Sequence, residues 1–435
     1  MAAPATPTFQ LNWLNTWFKR LDRAHNASIL ASPTLSEMTF ETTGGDVVAQ
    51  PFTLNGHRGE SGNFQAAQAI SSQTEFRNSS KYRWLVPYGE YLGSITVQHR
   101  DIALSRTDRD AAARALENET NMAFKQRGAN IMRLFFAPVG NTLLKANGVA
   151  ASATLAAGVL TFSDRVSGSQ VFQGDVLSFC LSAGDTAGQT VVGSPAYVTK
   201  VEVDVASSAN GRITVSPSSM GATGNPAGVP DGTYFLFRYG EFNSGNTNAI
   251  LVPLQSYLTA TPASTDFLNV KRGNDTRLSG LRVPDSIMQG RSIGSKIKQF
   301  IANAQVVAGV DGMSIDTVIM HPLDWALAEE EFTSTVDRNP GEVGEDGFSR
   351  MFINTANGRT KLVSEPYCPQ GVMFFLSSGQ LVFHSPTGTI CQWADEEGSI
   401  VRRKESELVY EMTPVSYLAP VMQAPYAHGR QNTTI

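Results

Sequence analysis

The chain has 435 residues, of which 41% are hydrophobic and 17% charged, and its 34 basic and 39 acidic side chains leave a formal net charge of -5. That length exceeds what one hydrophobic core usually supports, so several subdomains are expected. The charged share is low against the roughly 25% typical of soluble globular chains, which leaves a largely neutral surface for protein contact, and the mild acidity excludes a protein that grips nucleic acid by neutralising phosphates.

The amino-terminal stretch lacks the basic start, apolar core and small-residue cleavage site of a secretory signal, and no apolar run approaches the roughly 18 residues of a membrane span. Residues 1–40 contain WLNTWFKRL, where Leu14, Trp17, Phe18 and Leu21 fall at helical spacing and give one aromatic-rich face. Pro4, Pro7 and Pro33 break its flanks, so an arm carrying a short helix is predicted. Residues 41–104 are polar and spotted with glycine, apart from YRWLVPYGEYLGSITVQ, where Trp84, Val86, Ile95 and Val97 give short alternating strands. An extended hairpin that leans on another chain explains a strand signal without a local core.

SRTDRDAAARALENETNMAFKQRG is the clearest helix. Ser105 or Thr107 can cap it, Asp108 and Asp110 suit its positive end, and Gly128 is a plausible stop. Its thin apolar stripe, Ala112, Leu116, Met122 and Ala123, predicts a helix laid across a sheet with its other side exposed or facing a neighbour. From 148 to 246 the texture turns rich in Gly, Ser, Thr and Val: GVLTF, DVLSFCL, YVTKVEVDV, GRITVS and YFLFRY are strand-like runs between turns, which predicts an all-β module of about 100 residues. The remainder, 247–435, mixes the helical DSIMQGRSIGSKIKQFIANAQVVAG, the buried strand SIDTVIM, the helix PLDWALAEEE and the strands GVMFFL, QLVFHS and ELVYEMTPVSYLAPVM, an α+β unit.

Three motifs invite a catalytic reading, and local chemistry argues against each. GRSIG, Gly290 to Gly294, matches a nucleophile elbow, with Asp316 or Asp324 and His384 or His428 following, but VPDSIMQ before it is no apolar strand and no oxyanion segment precedes it. His321 beside Asp324 could serve as a general base, yet Pro322 at the first helical position and Asp324 in the first turn are ordinary helix-start residues. Glu329, Glu330 and Glu331 point in different directions around a helix and make a poor metal site. Cys180, Cys368 and Cys391 are widely spaced and form no CxxC, which argues against a disulfide framework or a zinc site and fits a reducing cytoplasm. No enzyme, cofactor or metal is expected.

The order of arm, extended hairpin, long helix, β module and α+β unit resembles the major capsid proteins of tailed bacteriophages, the Hong Kong 97-type fold. The local resemblances are AYVTKVEVDVASSANGRITVSPSSMG with DGTYFLFRYGEF for the inserted β module, TDFLNVKRGNDTRLSGLRVPDS for the lead into the apical domain, GMSIDTVIMHPLDWALAEEE for the apical strand and helix, and GRTKLVSEPYCPQGVMFFLSSGQLVFHS for the return toward the peripheral domain.

This resemblance implies an α+β fold with an N-terminal arm (1–40), an extended loop (41–104), a spine helix and the start of the peripheral domain (105–147), a β-rich insertion domain (148–246), an apical domain with its connections (247–395) and peripheral return strands (396–435). It implies a major capsid protein, with an encapsulin-like shell or a β-rich tail or baseplate protein as alternatives. Subunits would form pentamers and hexamers of an icosahedral shell around double-stranded DNA touched weakly and non-specifically, assembled in the bacterial cytoplasm without a membrane. Scaffolding, portal and decoration proteins would be partners. The candidate subunit contacts are Trp13, Trp17, Phe18, Arg58, Arg77, Lys81, Arg83, Trp84, Arg402, Arg403 and Lys404. Some members of the family join a loop lysine to a neighbour's asparagine; Lys81 sits near a strand end and Asn354 and Asn357 are weak acceptors, so no cross-link is expected here.

Overall fold

Strand Leu381–Ser385 is buried at every position, and Leu381, Val382 and Phe383 run apolar without alternation, as in a strand covered on both faces. In the computed structural model, which describes residues 34, 39–54, 81–98, 123, 125–136, 153–162, 171–181, 191–202, 212–216, 224–239, 251–308, 315–331, 351–356, 358–386, 391–394, 401–403 and 409–433, this strand lies near the centre of a five-stranded mixed sheet. Thr39–Thr42 pairs with it in parallel on one side and Pro414–Met422 antiparallel on the other. Pro414–Met422 also pairs with Gly89–Leu92 and Gln392–Trp393. The sheet is therefore assembled from both ends of the chain.

Residues 125–136 are helical and lie against this sheet. Gly128 does not stop the helix. Ile131, Met132, Leu134, Phe135 and Phe136 are each at most 1% exposed, with Phe135 against Phe383 and Phe136 against Phe374, and burying five large side chains outweighs the roughly 1 kcal/mol propensity cost of one glycine. The stripe expected at Ala112, Leu116 and Met122 and the caps and first-turn acids expected at Ser105, Thr107, Asp108 and Asp110 lie outside the described residues, while the carboxyl-terminal turns, residues 130–136, are buried.

A second five-stranded sheet runs in the order Met351–Thr355, Gly358–Ser364, Thr317–Met320, Val372–Leu376, Gly429–Asn432. Helix Ile293–Ala308 packs on it through Ile297, Phe300, Ile301 and Ala304, with Phe300 stacked on Phe375 at 3.8 Å between centroids. Helix Pro322–Glu331 lies beside it. The expected single helical run from Asp285 is interrupted: Asp285–Met288 makes one turn, Gly290 takes a left-handed φ of 70°, and the long helix begins at Ile293. Without a Cβ, glycine adopts that backbone at little cost.

Between residues 153 and 239, six strands close into a barrel. Five were expected; the sixth, Ala153–Ala156, carries only one large apolar residue, Leu155, and its two alanines have weak strand propensity. The barrel has its own core of Leu155, Leu160, Leu177, Phe179, Ile213 and Leu236 among others. Arg238 ties it to the helix through Asn130 Oδ1, and to Asp175 at 3.4 Å.

Candidate assembly surface

Val47–Thr53 and Lys81–Pro87 pair antiparallel over seven residues each. Alternation gives the ribbon two unlike faces. Val48, Phe52, Trp84 and Val86 point inward and are buried, and Trp84 is 0% exposed among Phe52, Tyr257 and Phe267 at centroid distances of 5.2, 5.6 and 5.8 Å. Pro51, Thr53, Lys81 and Arg83 lie on the opposite face, all exposed.

Trp84, expected at a subunit contact, is thus enclosed by its own chain. The expectation that this ribbon lacks a local core is corrected for residues 47–54 and 81–87, because Tyr257 and Phe267, some 170 to 185 positions away in the linear order, supply a cover that no local pattern reveals. Lys81 and Arg83 are exposed, and neither forms an ion pair with a described residue.

The root of the ribbon is held at several points. Leu85 N–H donates to Leu268 O at 3.1 Å and Tyr88 Oη to Thr43 O at 2.6 Å. Tyr426 Oη donates to Thr53 O at 3.0 Å. Arg127, from the buried helix, donates to Tyr91 O and, at 2.9 Å, to Ser416 Oγ, joining two neighbouring strands. Burial pushes its guanidinium below the usual arginine range. The sequence did not single out Arg127, which stands in the polar stretch KQRGAN ahead of the helix's apolar end. Past the ribbon, Ile95–Gln98 pairs with Val409–Met412, which pairs with Val401–Arg403. Arg402 and Arg403 stand opposite Glu411 and Tyr410 in that backbone register, so the structure joins the basic 401–403 strand to the same chain segment that carries Lys81 and Arg83. Trp13, Trp17, Phe18, Arg58, Arg77 and Lys404 lie outside the described residues, as does Asn357.

The catalytic temptations resolve into helix and turn chemistry. Ser292 Oγ accepts from Ser295 N–H at 3.4 Å at the start of the long helix, and a single helical turn, not a strand, precedes it. His321 Nδ1 accepts from Leu323 N–H at 3.2 Å, capping helix Pro322–Glu331. Asp324 is buried and accepts from Gly371 N–H at 2.7 Å. Asp316 takes Ser378 Oγ at 2.6 Å, His384 Nδ1 meets Thr43 Oγ1 at 2.7 Å, and His428 Nδ1 accepts from Ser377 N–H at 3.2 Å. Each group of the imagined triad is committed to a different local partner. The three cysteines are free and buried, with burial pushing the Cys180 thiol up to about 12.

No protein-family model matches the chain, and no curated protein does. Among solved structures the chain is similar to the capsid of cyanophage A-1(L), at 9% identity and a TM-score of 0.47 over 94% of this chain and 92% of that one. It is similar to a procapsid protein of satellite phage P4, at 10% identity and 0.41 over 95% and 98%. It is also similar to the SrpI encapsulin of Synechococcus elongatus PCC 7942, at 8% identity and 0.38 over 93% and 88%.

Proposed function

We propose that the chain is the major capsid protein of a tailed bacteriophage, with the Hong Kong 97-type fold, and that it tiles as pentamers and hexamers into an icosahedral shell around double-stranded DNA. The observation that carries this reading is the anchored ribbon. Two paired strands lie with one face in the core, held by Trp84, Tyr88 and Arg127, and their outer face offers the cations Lys81 and Arg83 without a partner in the described part of the same chain. A firmly seated ribbon that presents unneutralised charge suits contact with an acidic neighbour, and steers its encounter. The order of modules along the chain supports the same reading, with residues 153–239 as the insertion domain, the sheet at Leu381–Ser385 as the peripheral domain and the sheet at Thr317–Met320 as the apical domain.

A net charge of -5 suits a wall that holds its genome weakly and non-specifically. Scaffolding, portal and decoration proteins complete the proposed set of partners, the virion is the proposed location, and assembly would take place in the host cytoplasm. The encapsulin-like alternative shares the architecture; the separate barrel and the polar stretch beyond the ribbon favour the phage reading. Expression of the chain alone and with a scaffolding partner, followed by negative-stain microscopy, tests it. Hollow isometric particles are expected. Tubes or spikes would point to a tail part, and monomers under every condition would refute the shell.

A further inference from the structure

Arg272, Arg282 and Arg430 come from separate stretches and converge on residues 255–259, within and just after the turn Leu254–Tyr257. Arg272 is 4% exposed; its Nη1 donates to Ser256 O at 2.7 Å and its guanidinium lies 4.4 Å from the Phe267 ring centroid. Arg282 Nη1 donates to Thr259 O at 2.7 Å and Ser279 O at 3.1 Å. Arg430 Nη1 donates to Gln255 Oε1 at 3.3 Å, while its buried Nε has no hydrogen-bond partner in the structure. Burial holds Arg272 and Arg430 down to about 10, and Arg282 is close enough to both to disfavour their charge further.

Carbonyl and amide oxygens satisfy N–H donors, but they bring no net negative charge. Among the described residues no carboxylate pairs with any of the three, and the nearby Asp275 is occupied by Arg277 at 2.6 Å. Three partly desolvated guanidiniums without a counterion are an unstable arrangement unless an anion is supplied. Planar guanidinium forks match the two oxygens of a carboxylate.

We propose that the Arg272–Arg282–Arg430 cluster is a receptor for a carboxylate side chain of a second copy of this chain. This rests on the shell-subunit reading. The chain's own composition favours such an occupant, because each copy carries 39 acidic against 34 basic residues and so brings surplus carboxylates to every contact.

Full-length wild type and the Arg430→Gln and Arg430→Lys variants test it, Arg430 being the member with the fewest internal bonds and so the least needed for folding. The dilute, unassembled chain is titrated with sodium sulfate and with sodium chloride at matched ionic strength while its thermal midpoint is followed. Sulfate, the oxyanion probe, is expected to raise the wild-type midpoint above the chloride curve, and Arg430→Gln is expected to lose that difference. In sedimentation, Arg430→Gln assemblies are expected to dissociate at a several-fold lower salt concentration than wild type, with Arg430→Lys between them. No sulfate preference in the dilute wild type would overturn the proposal, since a carboxylate of the same chain then already fills the cluster. A sulfate preference together with unchanged assembly of Arg430→Gln would overturn the second-copy occupant. If wild type shows the sulfate preference but never self-associates, the shell reading fails and the occupant with it, while the anion site stands.

Discussion

Asp324 Oδ2 accepts the backbone N–H of Gly371 at 2.7 Å, so the first turn of helix Pro322–Glu331 is pinned to the tight turn that opens strand Val372–Leu376. Gly371 holds a φ of 83°, and its carbonyl receives Thr433 N–H at 2.9 Å. Replacing Asp324 by Ala strands a half-buried donor, for which a loss of about 1–2 kcal/mol is expected. Urea unfolding of the dilute chain measures it; a change below a few tenths of a kcal/mol would show the contact to be incidental.

The two faces of the ribbon should separate in mutagenesis. Trp84→Ala removes a fully buried indole and should cost about 3–5 kcal/mol of stability whether or not other copies are present. A double Lys81→Ala, Arg83→Ala variant should unfold within about 0.5 kcal/mol of wild type, yet form particles more slowly in light scattering. Equal unfolding losses in both would place Lys81 and Arg83 in the fold and remove them from the assembly surface.

His428 is fully buried and burial holds its imidazole down to about 3 from an ordinary 6.5. The folded chain therefore refuses a proton that the unfolded chain takes up, so this contribution is complete above pH 6.5 and is lost as pH falls toward 3. The loss should reach about 2 kcal/mol by pH 5. Denaturant midpoints at pH 7.5 and pH 5 should show it, and His428→Gln should flatten the slope between them. Burial lowers His384 as well, against a weaker opposing pull from Glu41, so some slope remains in that variant.

Gly429 sits where a side chain cannot. A Cβ there would stand 2.2 Å from Phe300 Cζ and 2.9 Å from Leu281 O, and Phe300 is itself stacked on Phe375. Gly429→Ala should cost about 1–3 kcal/mol through overpacking, visible as a lowered thermal midpoint. Combining it with Phe300→Leu should recover part of the loss, because the shorter side chain vacates the clash.

Local pattern revealed much of this architecture. The apolar-rich run VLSFC, the alternation in RITVS, the turns between them, and the helix-start chemistry of Pro322 and Asp324 are properties of adjacent residues, and they matched the folded elements. What local pattern missed depends on partners distant in the chain. Gly128 looked like a helix end because the pull that carries the helix to Phe136 comes from Phe374 and Phe383. Trp84 looked available because Tyr257 and Phe267 lie far along the chain. The bonding of Arg127, and the convergence of Arg272, Arg282 and Arg430, exist only after the sheets have formed, and no spacing rule announces them.

The parallel pairing of Thr39–Thr42 with Leu381–Ser385 sets a timetable for the newborn chain. Thr43 and His384, which meet at its end, are 341 positions apart. At a synthesis rate of about 5–20 residues per second, the leading strand must wait roughly 20–70 s for its mate to leave the ribosome. Throughout that interval an open hydrogen-bonding edge is on offer to other polypeptides, so crowding of nascent copies on one messenger is the moment of greatest exposure to mispairing, before any finished subunit exists.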